Sequence, residues 1–171
     1  MPGLRLRNRE FRKVIIWFHI TMNDLTFVTH LSQDKQDREK LQSGLAAIYT
    51  GLGNNIVERT GITELGRSIG VLLKNKAEET VGGVVGNAFG GWLYISVLWI
   101  EKSLRKKGYG TRLMNLIELE AAKIGCTNVY LDTYSFEARP FYEELGYEVF
   151  AMLDDCPKGY SKYFLKKQLA P

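Results

Sequence analysis

The sequence predicts an α/β (α+β) fold in which helices flank one mixed central sheet. The run Trp92–Ile100 is nearly all apolar, as in a central strand covered on both faces. The next segment, 110–124, repeats apolar residues on one helical face, at Leu113, Ile117, Ala121 and Ile124. Apolar segments and turn residues follow the order β-α-β-β-β-α-β-α-β-β, an antiparallel start followed by strand-helix-strand units.

The first half of the chain supplies a strand, a helix and two further strands. Met22 opens the compact domain, and Ser32 can cap the helix that follows the first strand. The glycines and asparagines at 51–55 end this helix, and 57–65 forms a short helix or a mobile loop. The strands predicted here are 25–31, 68–73 and 81–87.

The second half alternates strands and helices. Gly125 ends the amphipathic helix, and Gly146 ends a short helix that has Pro140 in its first turn. The short helix carries Ala138, Phe141, Tyr142 and Leu145 on one face. The elements predicted after the strand 92–100 are the helices 110–124 and 138–145 and the strands 129–133, 147–153 and 162–166.

The net charge of +4 is located at the start of the chain. Residues 1–21 hold five basic residues and one acidic residue, and the remaining chain holds 18 of each. We interpret 1–21 as an N-terminal extension, with an interfacial amphipathic segment as the alternative, and 22–171 as one domain. Because the domain has no basic excess, a nucleic-acid partner is not expected. The run at 92–100 is too short for a membrane span.

Cysteine and histidine usage points to a reducing compartment without a metal site. Cys126 and Cys156 form no C-x-x-C arrangement, so free thiols and a cytoplasmic location are expected. His19 and His30 lie far from any cysteine or carboxylate cluster, and we interpret both as surface or core residues.

The segment between the apolar strand and the amphipathic helix has the features of an anion site. It reads Arg105-Lys-Lys-Gly108-Tyr-Gly110-Thr111. The first amides of a helix lack internal partners, and glycine lets them approach an oxyanion closely. A Walker A loop needs a lysine after the last glycine, and a Rossmann loop needs a third glycine; both are absent. An ordinary glycine turn with solvated basic residues is the alternative.

Two motifs in order then resemble one family. Arg105-x-x-Gly108-x-Gly110 resembles motif A of the GNAT acetyltransferases. The second motif resembles motif B of that family and reads Ser135-x-x-Ala138-x-x-Phe141-Tyr142-x-x-x-Gly146-Tyr147. The resemblance covers roughly the C-terminal half of the chain, and it implies a GNAT-like N-acetyltransferase fold.

The resemblance implies a binding site for acetyl-CoA. The pantetheine arm would insert like a missing strand beside the main chain of Leu98, Trp99 and Ile100. The pyrophosphate would lie on the loop and helix start, formed by Arg105, Lys106, Lys107, Gly108, Tyr109, Gly110 and Thr111. Motif B would add Ser135, Ala138 and Tyr142. Because Ser135 replaces the asparagine of the family, its contact with the arm is expected to be weaker or mediated by water.

Acetyl transfer to an amine needs a base, an oxyanion donor and an acid for the departing thiolate. The resemblance implies that Tyr142 is the general acid and that the Leu98 backbone N–H lies near the oxyanion. Packing in the core is the alternative role for Tyr142. The strand 92–100 contains no carboxylate, so the base stays open. Either Tyr94 and Ser96, on one face of the strand, hold a water that relays the proton, or Asp132 at the end of the next strand is the base; each of the three has a structural role as its alternative.

The acceptor is the least determined partner. A small-molecule amine is favoured because the domain carries no obvious peptide-binding appendage. A protein N-terminus or lysine is the second candidate, and a non-catalytic acyl-CoA sensor is the third. Asp154 and Asp155 either attract a cationic amine or form a solvated turn. Homodimers are common in the family, so a homodimer is among the expected states.

Overall fold

The computed structural model of the chain describes residues 21–22, 25–26, 35–64 and 66–169. It divides the chain into two compact units, 1–60 and 61–171. Most of the interpreted N-terminal extension, both histidines, the Ser32 cap and most of the first predicted strand lie outside the described residues. No described helix has the length and hydropathy needed to cross a membrane.

The first unit contains a short hairpin and one long helix. Strands β1 (Thr21–Met22) and β2 (Leu25–Thr26) pair antiparallel. Helix α1 spans Lys35–Thr60, so the predicted stop at 51–55 is wrong. A glycine stop needs a left-handed backbone, and here the residue with that conformation is Gly61, at φ 72°. The segment 57–60 therefore continues α1 instead of forming a separate helix or loop.

The second unit is built on one six-stranded mixed sheet, which confirms the predicted fold class. Its strands are β3 (Arg67–Lys74), β4 (Thr80–Phe89), β5 (Trp92–Ile100), β6 (Asn128–Tyr134), β7 (Glu148–Leu153) and β8 (Lys162–Gln168). They lie in the order β3-β4-β5-β6-β8-β7. The β5–β6 pair is parallel and every other pair is antiparallel. The helices of this unit are a 3-10 turn (Lys102–Leu104), α2 (Tyr109–Lys123) and α3 (Arg139–Glu144).

Helix α2 covers one face of the sheet because its apolar residues recur at helical spacing. Its buried positions include Leu113, Ile117 and Ala121, as predicted, together with Met114. Ile124, predicted on the same face, lies beyond the helix end at Lys123 and is 38% exposed. The strand side chains buried with them include Val84, Leu93, Val129, Leu131 and Leu165. Full burial of each large side chain contributes roughly 1.5–3 kcal/mol to the free energy of unfolding.

Strand β5 is central, but within the second unit only one of its faces is buried. Leu93 and Ile95 are buried, whereas Val97 and Trp99 on the opposite face are about half exposed, at 54% and 49%. The prediction failed because a continuous apolar run does not distinguish a strand buried on both faces from one that is half exposed.

Strands β5 and β6 diverge halfway along their length. They pair in register from Trp92 with Asn128 to Ile95 with Leu131. A bulge follows, since Gly86 pairs with Ile95 and Val85 pairs with Val97, which leaves Ser96 as the extra residue. Beyond the bulge β5 stays with β4, while β6 stays with β8. The divergence opens the sheet at the carboxyl end of β5.

Candidate active site

The opening in the sheet is the base of a cleft of about 820 Å³. The carboxyl ends of β5 and β6, the loop before α2 and the short helix α3 surround it. Its lining residues are Leu98, Trp99, Ile100, Arg105, Lys106, Gly108, Gly110, Thr111, Thr133, Phe136, Glu137, Ala138, Phe141, Tyr142 and Glu144. Ten of the thirteen residues that the sequence analysis assigned to the cofactor are in this set.

The free edge of β5 forms one wall of the cleft. Val84 pairs with Leu98 and Gly82 pairs with Ile100, so β4 occupies one edge of this segment. Among the described strands, none pairs with 96–100 on the other edge. Backbone groups on that edge are therefore accessible to an extended ligand, as in β-augmentation.

The loop before α2 presents amides that lack protein partners. Lys106 and Gly108 adopt left-handed backbones, at φ 60° and φ 80°. The first amide of this region that closes a helical turn is that of Arg112, which donates to the Gly108 carbonyl at 3.1 Å. Within the described part of the chain, the N–H groups of 106–111 donate to no backbone or side-chain acceptor. They are a ready site for an anion at the positive end of a helix.

Arg105 and Gly110 connect this loop to the sheet and to α3. The Arg105 Nε donates to the Ile100 carbonyl at 2.9 Å, which holds the guanidinium at the end of β5. A Cβ on Gly110 would lie 3.1 Å from Phe141 Cζ and 3.6 Å from Ile100 Cδ1. Glycine at 110 thus permits close packing of α2 on α3, besides the approach of a ligand to its amide.

Tyr142 is buried at the floor of the cleft and is 8% exposed. Burial is the main reason that the pKa of Tyr142 rises to about 12, and the negative charges of Glu137 and Asp132 raise it further. Its ring meets those of Phe141 and Tyr147 edge-on, at centroid distances of 5.2 and 5.9 Å. The hydroxyl is thus protonated at neutral pH and can act as a hydrogen-bond donor.

Three predicted cofactor residues do not line the cleft: Lys107, Tyr109 and Ser135. The Ser135 amide donates to the Ser161 carbonyl at 2.8 Å, and the Ser135 hydroxyl accepts from the Ser161 amide at 3.2 Å. Ser135 therefore joins the end of β6 to the start of β8.

Five residues that line the cleft were not predicted to belong to it: Thr133, Phe136, Glu137, Phe141 and Glu144. Thr133 carried a usable signal, because it follows Val129 and Leu131 at alternate positions and is likewise buried. Phe136 is 55% exposed, and its ring stacks on Tyr134 at 5.2 Å. Phe136 and Glu137 lie in a turn, where no period indicates the direction of a side chain.

The three candidate bases are engaged in structural contacts. Asp132 accepts from the Tyr94 hydroxyl at 2.8 Å through Oδ1, and its Oδ2 lies 2.8 Å from Lys162 Nζ. Burial, followed by the hydrogen bond and the charge of Asp132, raises the pKa of Tyr94. The Ser96 hydroxyl donates to the Val85 carbonyl at 3.2 Å. None of the three lines the cleft.

The acidic pair between β7 and β8 is also outside the cleft lining. Asp155 Oδ1 accepts from the Gly159 amide at 2.6 Å, and its backbone has φ 53°. Asp155 therefore closes a turn, which is the solvated-turn alternative.

Comparisons with known proteins identify the family and the fold. Residues 49–147 match the family model described as "Acetyltransferase (GNAT) family". The chain is 35% identical over 92 residues to blasticidin-S acetyltransferase from Streptomyces morookaense, covering 53% of this chain and 68% of that protein. The crystal structure of an acetyltransferase from Bacillus cereus ATCC 14579 has a TM-score of 0.63 at 29% identity, over 82% of this chain and 98% of that chain. Aminoglycoside 6'-N-acetyltransferase complexed with coenzyme A shares the fold, with a TM-score of 0.55 at 21% identity over 84% and 97% of the two chains.

Proposed function

This chain belongs to the GNAT acetyltransferase family, and from that premise we propose that it transfers the acetyl group of acetyl-CoA to a primary amine of a small molecule. Family membership makes it an N-acetyltransferase and makes acetyl-CoA its donor. The amine class and the roles of individual residues belong to the proposal. The observation that carries it is the row of unpartnered amides at 106–111, at one end of a cleft whose wall is an open strand edge.

The residues of the cleft fit coenzyme A. The amides of 106–111, with Arg105, Lys106 and Lys107 nearby, would hold the diphosphate. The main chain of 98–100 would accept the pantetheine arm along its free edge. Bound acetyl-CoA supplies the activated acetyl thioester. Orientation of that thioester beside the amine is the contribution of the cleft to the rate.

Tyr142 is proposed to assist the departure of sulfur. A hydroxyl with a pKa of about 12 is a weaker acid than an ordinary thiol, whose pKa is about 8.5. At that pKa, Tyr142 stabilises the developing thiolate mainly as a hydrogen-bond donor, and complete proton transfer requires its pKa to fall. The Leu98 backbone N–H is proposed to donate to the oxyanion, since Leu98 lines the cleft on the free edge of β5.

A small-molecule acceptor is supported by the printed name of one relative. Blasticidin-S acetyltransferase is named for a small compound, and 68% of its length aligns with this chain. We therefore place a small amine before a protein N-terminus or a lysine side chain.

A screen for acceptors tests the proposal. Thiol release from acetyl-CoA is measured with blasticidin S, an aminoglycoside, a polyamine, a lysine peptide and a free peptide N-terminus. Release with a small amine above the rate with peptides is expected. Release only with the peptides would reassign the acceptor. If none of the amines supports thiol release, the result would favour a non-catalytic sensor.

Light scattering on the same sample tests the homodimer that the family resemblance implies.

Binding of coenzyme A is measured separately by thermal shift. At a hundredfold excess over its Kd, the ligand should add about 3 kcal/mol to the free energy of unfolding.

Lys106→Glu reverses a charge in the cleft and should weaken coenzyme A binding about tenfold. Lys76→Glu makes the same change in the turn between β3 and β4 and should leave binding unchanged. Equal binding by both variants would contradict the placement of the diphosphate.

A further inference from the structure

The residues that line the cleft carry charges of both signs, on different segments of the chain. Arg105 and Lys106 belong to the loop of unpartnered amides. Glu137 lies in the turn between β6 and α3, next to Phe136 in the sequence, and Glu144 ends α3. An anionic diphosphate is favoured beside the basic loop, and an amine that becomes positively charged is favoured beside Glu137.

Glu137 is held by one carboxylate oxygen and leaves the other available. Its Oε2 accepts from the Thr133 hydroxyl at 3.2 Å and from the Tyr134 amide at 3.3 Å. In the part of the chain that the structure describes, Oε1 forms no hydrogen bond or ion pair. The carboxylate is thus oriented by the protein while one oxygen remains free to accept a proton.

The other acidic side chains are less suited to this task. Asp132 uses both oxygens, for Tyr94 and for Lys162, and lies outside the cleft lining. Glu144 lines the cleft, but it lies on the last turn of α3, two residues beyond Tyr142. Of the two glutamates that line the cleft, Glu137 is the one whose negative charge raises the pKa of Tyr142.

We propose that Glu137 is the general base of the reaction: its free carboxylate oxygen takes the proton that the acceptor amine loses as the new C–N bond forms. This inference rests on the proposed function, because it requires an amine acceptor and a thioester donor in the cleft. It places the base at a residue that the sequence did not suggest, instead of at Tyr94, Ser96 or Asp132.

The proton balance of the step closes on two residues. The neutral amine attacks the thioester carbonyl carbon, the C–N bond forms, and one N–H proton passes to Glu137. The C–S bond breaks, and the sulfur leaves as a thiolate that receives the Tyr142 proton. Tyr142 then recovers a proton from Glu137, directly or through water. The products are an amide and a free thiol, with no net proton released.

Protonation of Glu137 also makes Tyr142 a stronger acid. The negative charge of Glu137 helps to raise the pKa of Tyr142, so its neutralisation lowers that pKa. The fall coincides with the moment at which the thiolate needs a proton. The two residues would therefore act as a coupled pair.

Glu137→Gln tests the base without removing the turn contacts. The Gln carbonyl oxygen can still accept from Thr133 and from the Tyr134 amide, but the amide group cannot take a proton. We expect kcat with the best amine to fall about 100-fold, with the KM for acetyl-CoA and the thermal shift on coenzyme A unchanged. Glu148→Gln removes the same charge from the exposed strand β7 and should keep wild-type turnover.

Two results would overturn the proposal. Turnover by Glu137→Gln within threefold of Glu148→Gln would show that no base acts at this position. Loss of the coenzyme A shift in Glu137→Gln would show that the residue serves cofactor binding instead. If the wild-type protein binds coenzyme A but acetylates no amine, the proposed function fails first, and that result is visible before any variant is made.

A double-mutant cycle adds a second readout. If Glu137 and Tyr142 act as a pair, combining Glu137→Gln with Tyr142→Phe should reduce kcat by much less than the product of the two single reductions. Independent multiplication of the two reductions would contradict the coupling.

Discussion

At the scale of single residues, the position of Tyr142 is compatible with both of the roles considered for it. The motif resemblance predicted a general acid, and core packing was the alternative. Tyr142 packs against Phe141 and Tyr147 and also lines the cleft, so burial and access to a ligand coexist. That burial keeps the hydroxyl protonated. At neutral pH the Tyr142 hydroxyl of the folded protein can therefore donate a hydrogen bond.

Tyr142→Phe should lower kcat about 100-fold and leave the KM for acetyl-CoA within twofold, because it removes a donor needed mainly as the thiolate forms. Steady-state kinetics measures both constants. Tyr130→Phe removes a hydroxyl outside the cleft lining and serves as the matched control. Turnover by Tyr142→Phe equal to that of the control would leave Tyr142 only its packing role.

The raised pKa of Tyr142 predicts a flat alkaline limb. Burial and the charges of Glu137 and Asp132 disfavour the phenolate, so Tyr142 stays protonated until the pH approaches about 12. The stabilising effect of its neutral form is complete below about pH 10 and is lost between about pH 10 and 12. Between pH 7 and 10, ionisation of Tyr142 should therefore cause no decline in kcat. Over that range, the pH profiles of the wild-type protein and of Tyr142→Phe should have the same shape. A decline near pH 8 that this variant removes would contradict the environment described.

At the scale of elements, a buried polar network joins α2, β8 and Tyr147, the residue before β7. Glu118 is 9% exposed and accepts from the Tyr147 hydroxyl and from Lys167 Nζ, each at 2.7 Å. Burial and then the charge of Glu118 raise the pKa of Tyr147. Since the Tyr147 ring also meets Tyr142, the network fixes the residue against which Tyr142 rests.

Tyr147→Phe should lower the free energy of unfolding by about 2 kcal/mol, because the buried Glu118 carboxylate loses one of its two partners. That loss corresponds to roughly 5 °C in Tm. Tyr130→Phe again provides the control, with a change below about 0.5 kcal/mol. Thermal unfolding followed by circular dichroism gives both values. A Tyr147→Phe protein as stable as the control would show that Lys167 alone satisfies Glu118.

The ends of the elements were less predictable than their identities. The strand 92–100 was predicted residue for residue, because apolar runs and glycine turns are local signals. Helix α1 passes through Gly51 and Gly53 and ends before Gly61. Glycine lowers helix stability by only about 1 kcal/mol, which the hydrogen bonds of neighbouring turns can offset. A glycine therefore ends a helix only where the backbone becomes left-handed.

At the scale of the whole molecule, charge and core occupy different parts of the chain. Residues 1–21 carry five basic residues and one acidic residue, and the remainder is balanced. The buried core of the described residues runs from Val84 to Leu169. The division into an extension, 1–21, and a domain, 22–171, stays a prediction.

A variant that begins at Met22 tests this division. We expect it to fold and to give the wild-type thermal shift with coenzyme A, because the cleft is built from residues 98–144. Its retention on a cation exchanger should fall, since a net charge of +4 is removed. A truncated protein that is unfolded, or that no longer binds coenzyme A, would place part of the extension inside the domain.

The sequence by itself determined the fold class, the glycine loop and the family, because periodicity and motif spacing are local properties of the chain. Tertiary structure alone decided which side chains meet in the cleft. Glu137 lines the cleft that opens where β5 and β6 part after the bulge at Ser96, and Ser135 does not line it because it is bonded to Ser161. Contacts between residues far apart in the chain set these directions, and no local period records them.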